Sequence, residues 1–261
     1  MWNIKEEDLD KFRMTCNDRL SPEGATGFIF GGILFSSITI FSIVLSAGWD
    51  YCMLLFNIGI VKLEVFLYII QIILFVIYSF PIAQFKFQKL QTLVVLLCSF
   101  QLATIAPIAL TVTKMANNSI DWITILYAGL LLLGAVIFHV LTTIDTFKQA
   151  SKGAFSMDER STSFFSETKG KMMKWATLYA VTILILIYFH NDYGFDDLFM
   201  YIVGTFLMYT IAIGAAEFQL LAYCRFKFTS FNKTWEQHKR ETPRYQKKNK
   251  KSKSKRKAYR K

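Results

Sequence analysis

Cysteine is scarce in this chain and spaced against chemistry. Four occur, at positions 16, 52, 98 and 224, with no C-x-x-C pair. That disfavours both a disulfide framework and a zinc site. Histidine is scarcer still: three residues, at 139, 190 and 238, each in a different segment. A metalloenzyme is therefore disfavoured. The chain has no H-E-x-x-H, no G-x-S-x-G and no G-x-x-x-x-G-K, so the zinc-protease, hydrolase and phosphate-cradling signatures are missing. No catalytic residue, metal ligand or cofactor is expected, and the chain reads as non-enzymatic. Proline is limited to four residues. The most informative absence is that of charge: residues 27–49 contain no Asp, Glu, Lys or Arg.

What fills these gaps is apolar and aromatic. Hydrophobic residues make up 53% of the 261, and 25 are Phe. An apolar run of about 20 residues matches the hydrocarbon core of a bilayer. No water reaches backbone amides there, so such runs are helical. The expected fold class is all-α, a polytopic membrane helical bundle of six transmembrane helices. The spans are expected at 27–49, 65–85, 90–112, 122–144, 175–191 and 198–223, forming one transmembrane domain over 27–223. The fifth is short. It reaches bilayer thickness by extending toward Asn191 or back past Met173. Residues 51–61 are apolar but too few to span. They read as an interfacial or re-entrant segment, or as a continuation of the first helix past Trp49.

The charges divide sharply about these spans. With the N-terminus in the cytoplasm, the inner side carries four Lys/Arg in 1–26, Lys86 and Lys89 in a short turn, six in 145–174, and sixteen from Cys224 onward. The outer side carries only Lys62 and Lys114, and its loops are acidic: Asp50, Glu64, Asp121, Asp192, Asp196 and Asp197. Lys/Arg bias of short loops sets orientation, so both termini are expected in the cytoplasm and the chain in the cell membrane. Trp49, Tyr51, Trp122 and Tyr193 mark one interface; Trp175, Tyr179 and Tyr223 mark the other. Residues 1–26 hold six acidic residues against four basic ones, which does not resemble an export signal.

Polar residues inside the spans are the candidates for a site, because burying them in lipid is costly. They are Glu217 and His139, a proton or cation relay if they meet, and Gln101 with Thr104 on one face of the third span, with Gln71 in the second. The competing reading is interhelical hydrogen bonding that fixes packing, or Glu217 meeting Arg225 and Lys227. Pro107 predicts a kink.

The soluble parts are an N-terminal cytoplasmic segment, 1–26, and a basic cytoplasmic tail, 224–261, disordered from about residue 240. Residues 3–20 suggest a short helix with Leu9, Phe12, Cys16 and Leu20 on one side. The 145–174 loop is Ser/Thr-rich and expected to lack a fold, with Phe155, Phe164 and Phe165 touching the membrane. The tail supplies a candidate lipid or partner surface: Arg225, Lys227, Trp235, Lys247, Lys248, Lys250 and Lys251. Cations interleaved with aromatics suit the anionic inner leaflet. Nucleic acid is disfavoured, since no folded nucleic-acid module accompanies the basic run.

The opening Met1-Trp2-Asn3-Ile4-Lys5-Glu6-Glu7-Asp8-Leu9, the six spans and the basic C-terminus resemble uncharacterised small polytopic membrane proteins of low-GC Gram-positive bacteria, such as those encoded beside type VII secretion toxin genes. The resemblance covers the whole chain and rests on layout, so no functional residue carries over. It implies a secretion accessory or toxin-immunity protein acting through a membrane-protein or toxin partner. The alternative is a small transporter or channel component using Glu217 and Gln101.

Overall fold

The computed structural model describes residues 3–18, 20–115, 122–157, 167–190 and 195–241. Ten α-helices lie among them: α1 Asp10–Asp18, α2 Pro22–Ala47, α3 Trp49–Leu55, α4 Gly59–Tyr78, α5 Pro81–Lys86, α6 Gln88–Met115, α7 Trp122–Ser151, α8 Glu167–His190, α9 Phe195–Lys227 and α10 Trp235–Glu241. No strand occurs among the described residues. Six helices are long and apolar enough to cross a membrane, with windows at Pro22–Leu45, Gly59–Tyr78, Gln88–Ala109, Ile125–Ser151, Thr168–His190 and Leu198–Lys227.

Local chemistry sets the boundaries. Ser21 caps α2 by accepting from the Gly24 amide at 3.1 Å, and Pro22 opens its first turn, where a missing N–H costs nothing. α2 therefore starts five residues before the uncharged run. It stops at Gly48, whose φ of 82° is a left-handed conformation that favours glycine. Residues 51–61 are then not an unbroken extension of the first helix. They divide between α3 and the first turn of α4, joined by a turn at 56–58. This moves Glu64 from the expected outer loop into the span-forming helix α4. At the other end of α4 the chain breaks before Pro81, which begins α5. Pro81 thus opens a short corner helix. α8 reaches bilayer thickness by extending back past Met173 to Glu167; its 24 residues measure about 36 Å at helical rise.

α6 and α9 form the central pair. α2 and α4 pack on α6, and α7 and α8 pack with α9. Two apolar cores follow. One joins α2, α4 and α6 through Ile29, Tyr78, Val95 and Cys98. The other joins α7, α8 and α9 through Leu131, Ala176, Ile187 and Met208. Outward-facing Phe41, Phe66, Leu126, Leu178 and Phe206 are exposed, as a helix needs when apolar on its lipid side too. Gly134 lets two rings approach α7. A Cβ there would run into the Tyr179 ring and the Tyr209 hydroxyl.

A third core closes one end of the bundle. Leu9, Phe12 and Cys16 pack with Ala150, Phe155, Leu220, Cys224 and Phe231. The N-terminal segment, the end of α7 and the end of α9 therefore share one end. Phe155 was expected to touch the membrane; it is buried against Phe12, ring centroids 5.7 Å apart, and its carbonyl accepts from the Lys11 amide at 2.9 Å. The 145–157 stretch is ordered by this packing. Phe164 and Phe165 lie outside the described residues, as does the tail beyond 241.

Candidate functional site

Among the described residues, four clusters of polar side chains within the spans bear on a site. The first joins α4 to α6. Glu64 and Gln71 are seven residues apart, two helical turns, so they share a face. Gln101 donates to the Glu64 carbonyl at 2.8 Å and accepts from the Gln71 amide. Thr104 donates to Glu64 Oε1 at 2.9 Å. Glu64 Oε2 and Gln71 Oε1 are buried without hydrogen-bond partners. The Glu64 carboxylate also borders an apolar cavity of about 260 Å³ lined by Trp49, Cys52, Phe56 and Ile105.

The second cluster joins α7 to α9. His139 Nδ1 lies 2.7 Å from the Ala212 carbonyl, which can only accept, so Nδ1 carries the proton. Nε2 then accepts from the Gln219 amide at 3.0 Å, and Gln219 Oε1 accepts from Thr143 at 2.8 Å. Both imidazole nitrogens are engaged. Phe100 of α6 meets the ring edge-on at 5.1 Å.

The third cluster joins α8 to α9. Lys169 Nζ and Glu217 Oε1 are 3.9 Å apart, with the lysine side chain 3% and the glutamate side chain 24% exposed. The pair sits beside a groove of about 350 Å³ whose walls include Ala176, Ala180, Phe206 and Gly214.

The fourth ties α9 to α6 and to the chain before α2. Arg225 Nη1 donates to Thr92 Oγ1 at 2.7 Å and to the Gln88 carbonyl at 3.3 Å, while Nη2 donates to the Leu20 carbonyl at 2.9 Å. Arg225 is 2% exposed, the largest fully buried side chain described.

Several expectations are corrected by this arrangement. His139 meets Gln219, and Glu217 meets Lys169, so the structure does not pair Glu217 with His139 as a relay. Gln101 and Thr104 do share a cluster, but their carboxylate is Glu64 rather than Glu217. Arg225 does not lie on the exposed surface of the tail: three acceptors around it draw the guanidinium inside the fold. Lys227 is exposed, with its ammonium 3.0 Å from the Ile4 carbonyl and 2.8 Å from the Tyr223 hydroxyl. Trp235 stacks on His238 at 5.6 Å and packs on Phe85 at 5.2 Å. Lys247, Lys248, Lys250 and Lys251 lie outside the described residues. Glu64, Lys169 and Gln219 were not singled out in the sequence. The available signals were the seven-residue step from Glu64 to Gln71 and a fifth span too short unless it runs back through Lys169.

The end of the bundle that holds both described terminal segments is rimmed by cations over aromatic rings. Lys86 lies 5.5 Å from the Phe87 centroid, Lys89 5.7 Å from Phe226, Lys227 5.2 Å from Tyr223 and Lys239 4.8 Å from Trp235. Fold and polar clusters together define an integral, multi-pass helical membrane protein. No family model matches the chain, and no curated protein or solved structure matches it either.

Proposed function

We propose that this is a non-enzymatic membrane protein that acts by binding a partner at its basic end, in the manner of a secretion accessory or toxin-immunity factor. The observation that carries this reading is the rim of Lys86, Lys89, Lys227 and Lys239 beside aromatic rings, set on a folded cap. Cations over rings at headgroup depth suit an anionic inner leaflet. The positive-inside bias puts this end, and both termini, in the cytoplasm of a cell-membrane protein. The cap then offers a partner, a membrane protein or a toxin, a cationic docking face held close to the bilayer. Reversing Lys86, Lys89, Lys239 and Arg240 to Glu tests this in native membranes solubilised in mild detergent. The expected result is loss of a co-purifying protein at unchanged abundance of the chain. An unchanged complex overturns the reading.

A second reading, a small transporter or channel component, is favoured by one observation: Glu64, with a bare carboxylate oxygen, borders a cavity next to Gln71, Gln101 and Thr104. This shifts the carboxylate from Glu217 to Glu64. Cation flux into liposomes that disappears in Glu64→Gln would select this reading, and absence of such flux removes it.

A further inference from the structure

Arg225 presents a problem that its hydrogen bonds do not solve. Its three partners are neutral oxygens, from Leu20, Gln88 and Thr92, and Nε is buried with no partner. Among the described residues Arg225 makes no ion pair. A buried ion without counter-charge costs several kcal/mol even after relaxation. Arg225 also lines a cavity of about 160 Å³. From Arg225 and Thr92 the walls continue as Leu221 and Phe218 on α9, Val95 on α6, and Ala25 and Phe28 on α2. Each step is three or four residues, one helical turn of about 5.4 Å. α2 and α6 begin at the basic end and α9 finishes there, so every step runs from that end toward the middle of the bundle. The result is a slot with a cation toward the basic end and an apolar, aromatic part toward the middle of the bundle.

We propose that this slot holds a phospholipid. Its phosphate oxygens meet Arg225, and one acyl chain lies against Phe28, Val95 and Phe218. An anionic head supplies the missing counter-charge, and Arg accepts phosphate in a forked, charge-assisted geometry. A free anion would satisfy the guanidinium and leave the apolar walls unused. A neutral chain would do the reverse. The site is independent of partner binding at the rim, because Lys86, Lys89 and Lys239 do not line it.

The test uses the full chain in mild detergent, stripped of lipid, titrated with dioleoylphosphatidylglycerol and followed by native mass spectrometry. Dioleoylglycerol lacks the phosphate; inorganic phosphate lacks the chains. One phosphatidylglycerol per chain is expected, bound about tenfold or more tightly than dioleoylglycerol, with phosphate unable to displace it. Arg225→Gln removes the cation and is expected to lose phosphatidylglycerol; because Arg225 also ties three segments together, a second variant separates binding from folding. Ala25→Phe leaves Arg225 in place and fills the slot; it is expected to lose phosphatidylglycerol by a similar factor while keeping its helical circular dichroism. Equal retention by well-folded Ala25→Phe overturns the proposal, as does displacement by phosphate, which marks a free-anion site only.

Discussion

The Lys169 ammonium and the Glu217 carboxylate are 3.9 Å apart where the lysine is almost wholly sealed from solvent. Glu217→Gln removes the counter-charge nearest Lys169, while Asp145 continues to attract the ammonium, so stability should fall by about 1–3 kcal/mol. Replacing both, as Lys169→Met with Glu217→Leu, should recover most of that loss, because the apolar replacements leave no charge to bury. Thermal unfolding of the four members of this double-mutant cycle in detergent checks it. Simple additivity of the two single changes would show that the pair is not coupled. Gly134 makes a second residue-scale case. Tyr179 and Tyr209 donate to the Leu130 and Leu131 carbonyls at 2.8 and 3.0 Å, and both rings reach α7 through the space a Cβ would occupy. Gly134→Ala should therefore destabilise by about 1–3 kcal/mol despite its better helix propensity, read as a lower melting temperature. The polar residues themselves were legible in the sequence, but their pairings were not. Glu217 and Gln219 are two residues apart on α9 and so face different neighbours. Only packing decides that one meets α8 and the other α7.

At the scale of elements, the apolar runs were readable because lipid demands helices uncharged over about 20 residues. Their ends were harder to place. The α2 start depends on Ser21 and Pro22, two residues that a hydropathy window passes over. The α8 start lies among Lys169, Lys171 and Lys174, whose charges lower the hydropathy of a segment that is nonetheless helical. The N-terminal helix was legible as a face of Leu9, Phe12 and Cys16, and these residues are indeed buried. Its partners on α7 and α9 lie far away in sequence. α10 shows the same division: Trp235 stood out as an interfacial aromatic, whereas its seat on Phe85 and His238 depends on the corner formed at Pro81. The Glu23–His238 contact at 2.8 Å fastens α10 to the start of α2. Trp235→Ala should loosen α10 by about 1 kcal/mol, which raises its open population about fivefold. Limited trypsin digestion should then cut near Lys239 and Arg240 correspondingly faster. An unchanged rate would mean that the stacking does not hold the helix down.

At the scale of the whole molecule, the charge asymmetry and the packing speak to the same division of ends. Lys86, Lys89, Lys227 and Lys239 belong to the end where the chain before α2, the close of α7 and the close of α9 meet. α3 lies at the other end, past the far end of α2. The cysteines report on this directly, since three of the four are buried and Cys52 of α3 is partly exposed. In the proposed orientation, with the basic end in the cytoplasm, α3 faces outward. A membrane-impermeant maleimide added to intact cells should therefore label the chain once, at Cys52. Cys52→Ser should abolish that label, while Cys16→Ser, Cys98→Ser and Cys224→Ser leave it unchanged. Labelling that appears only after the membrane is opened would reverse the orientation and move the cationic rim, with its proposed partner, to the outside.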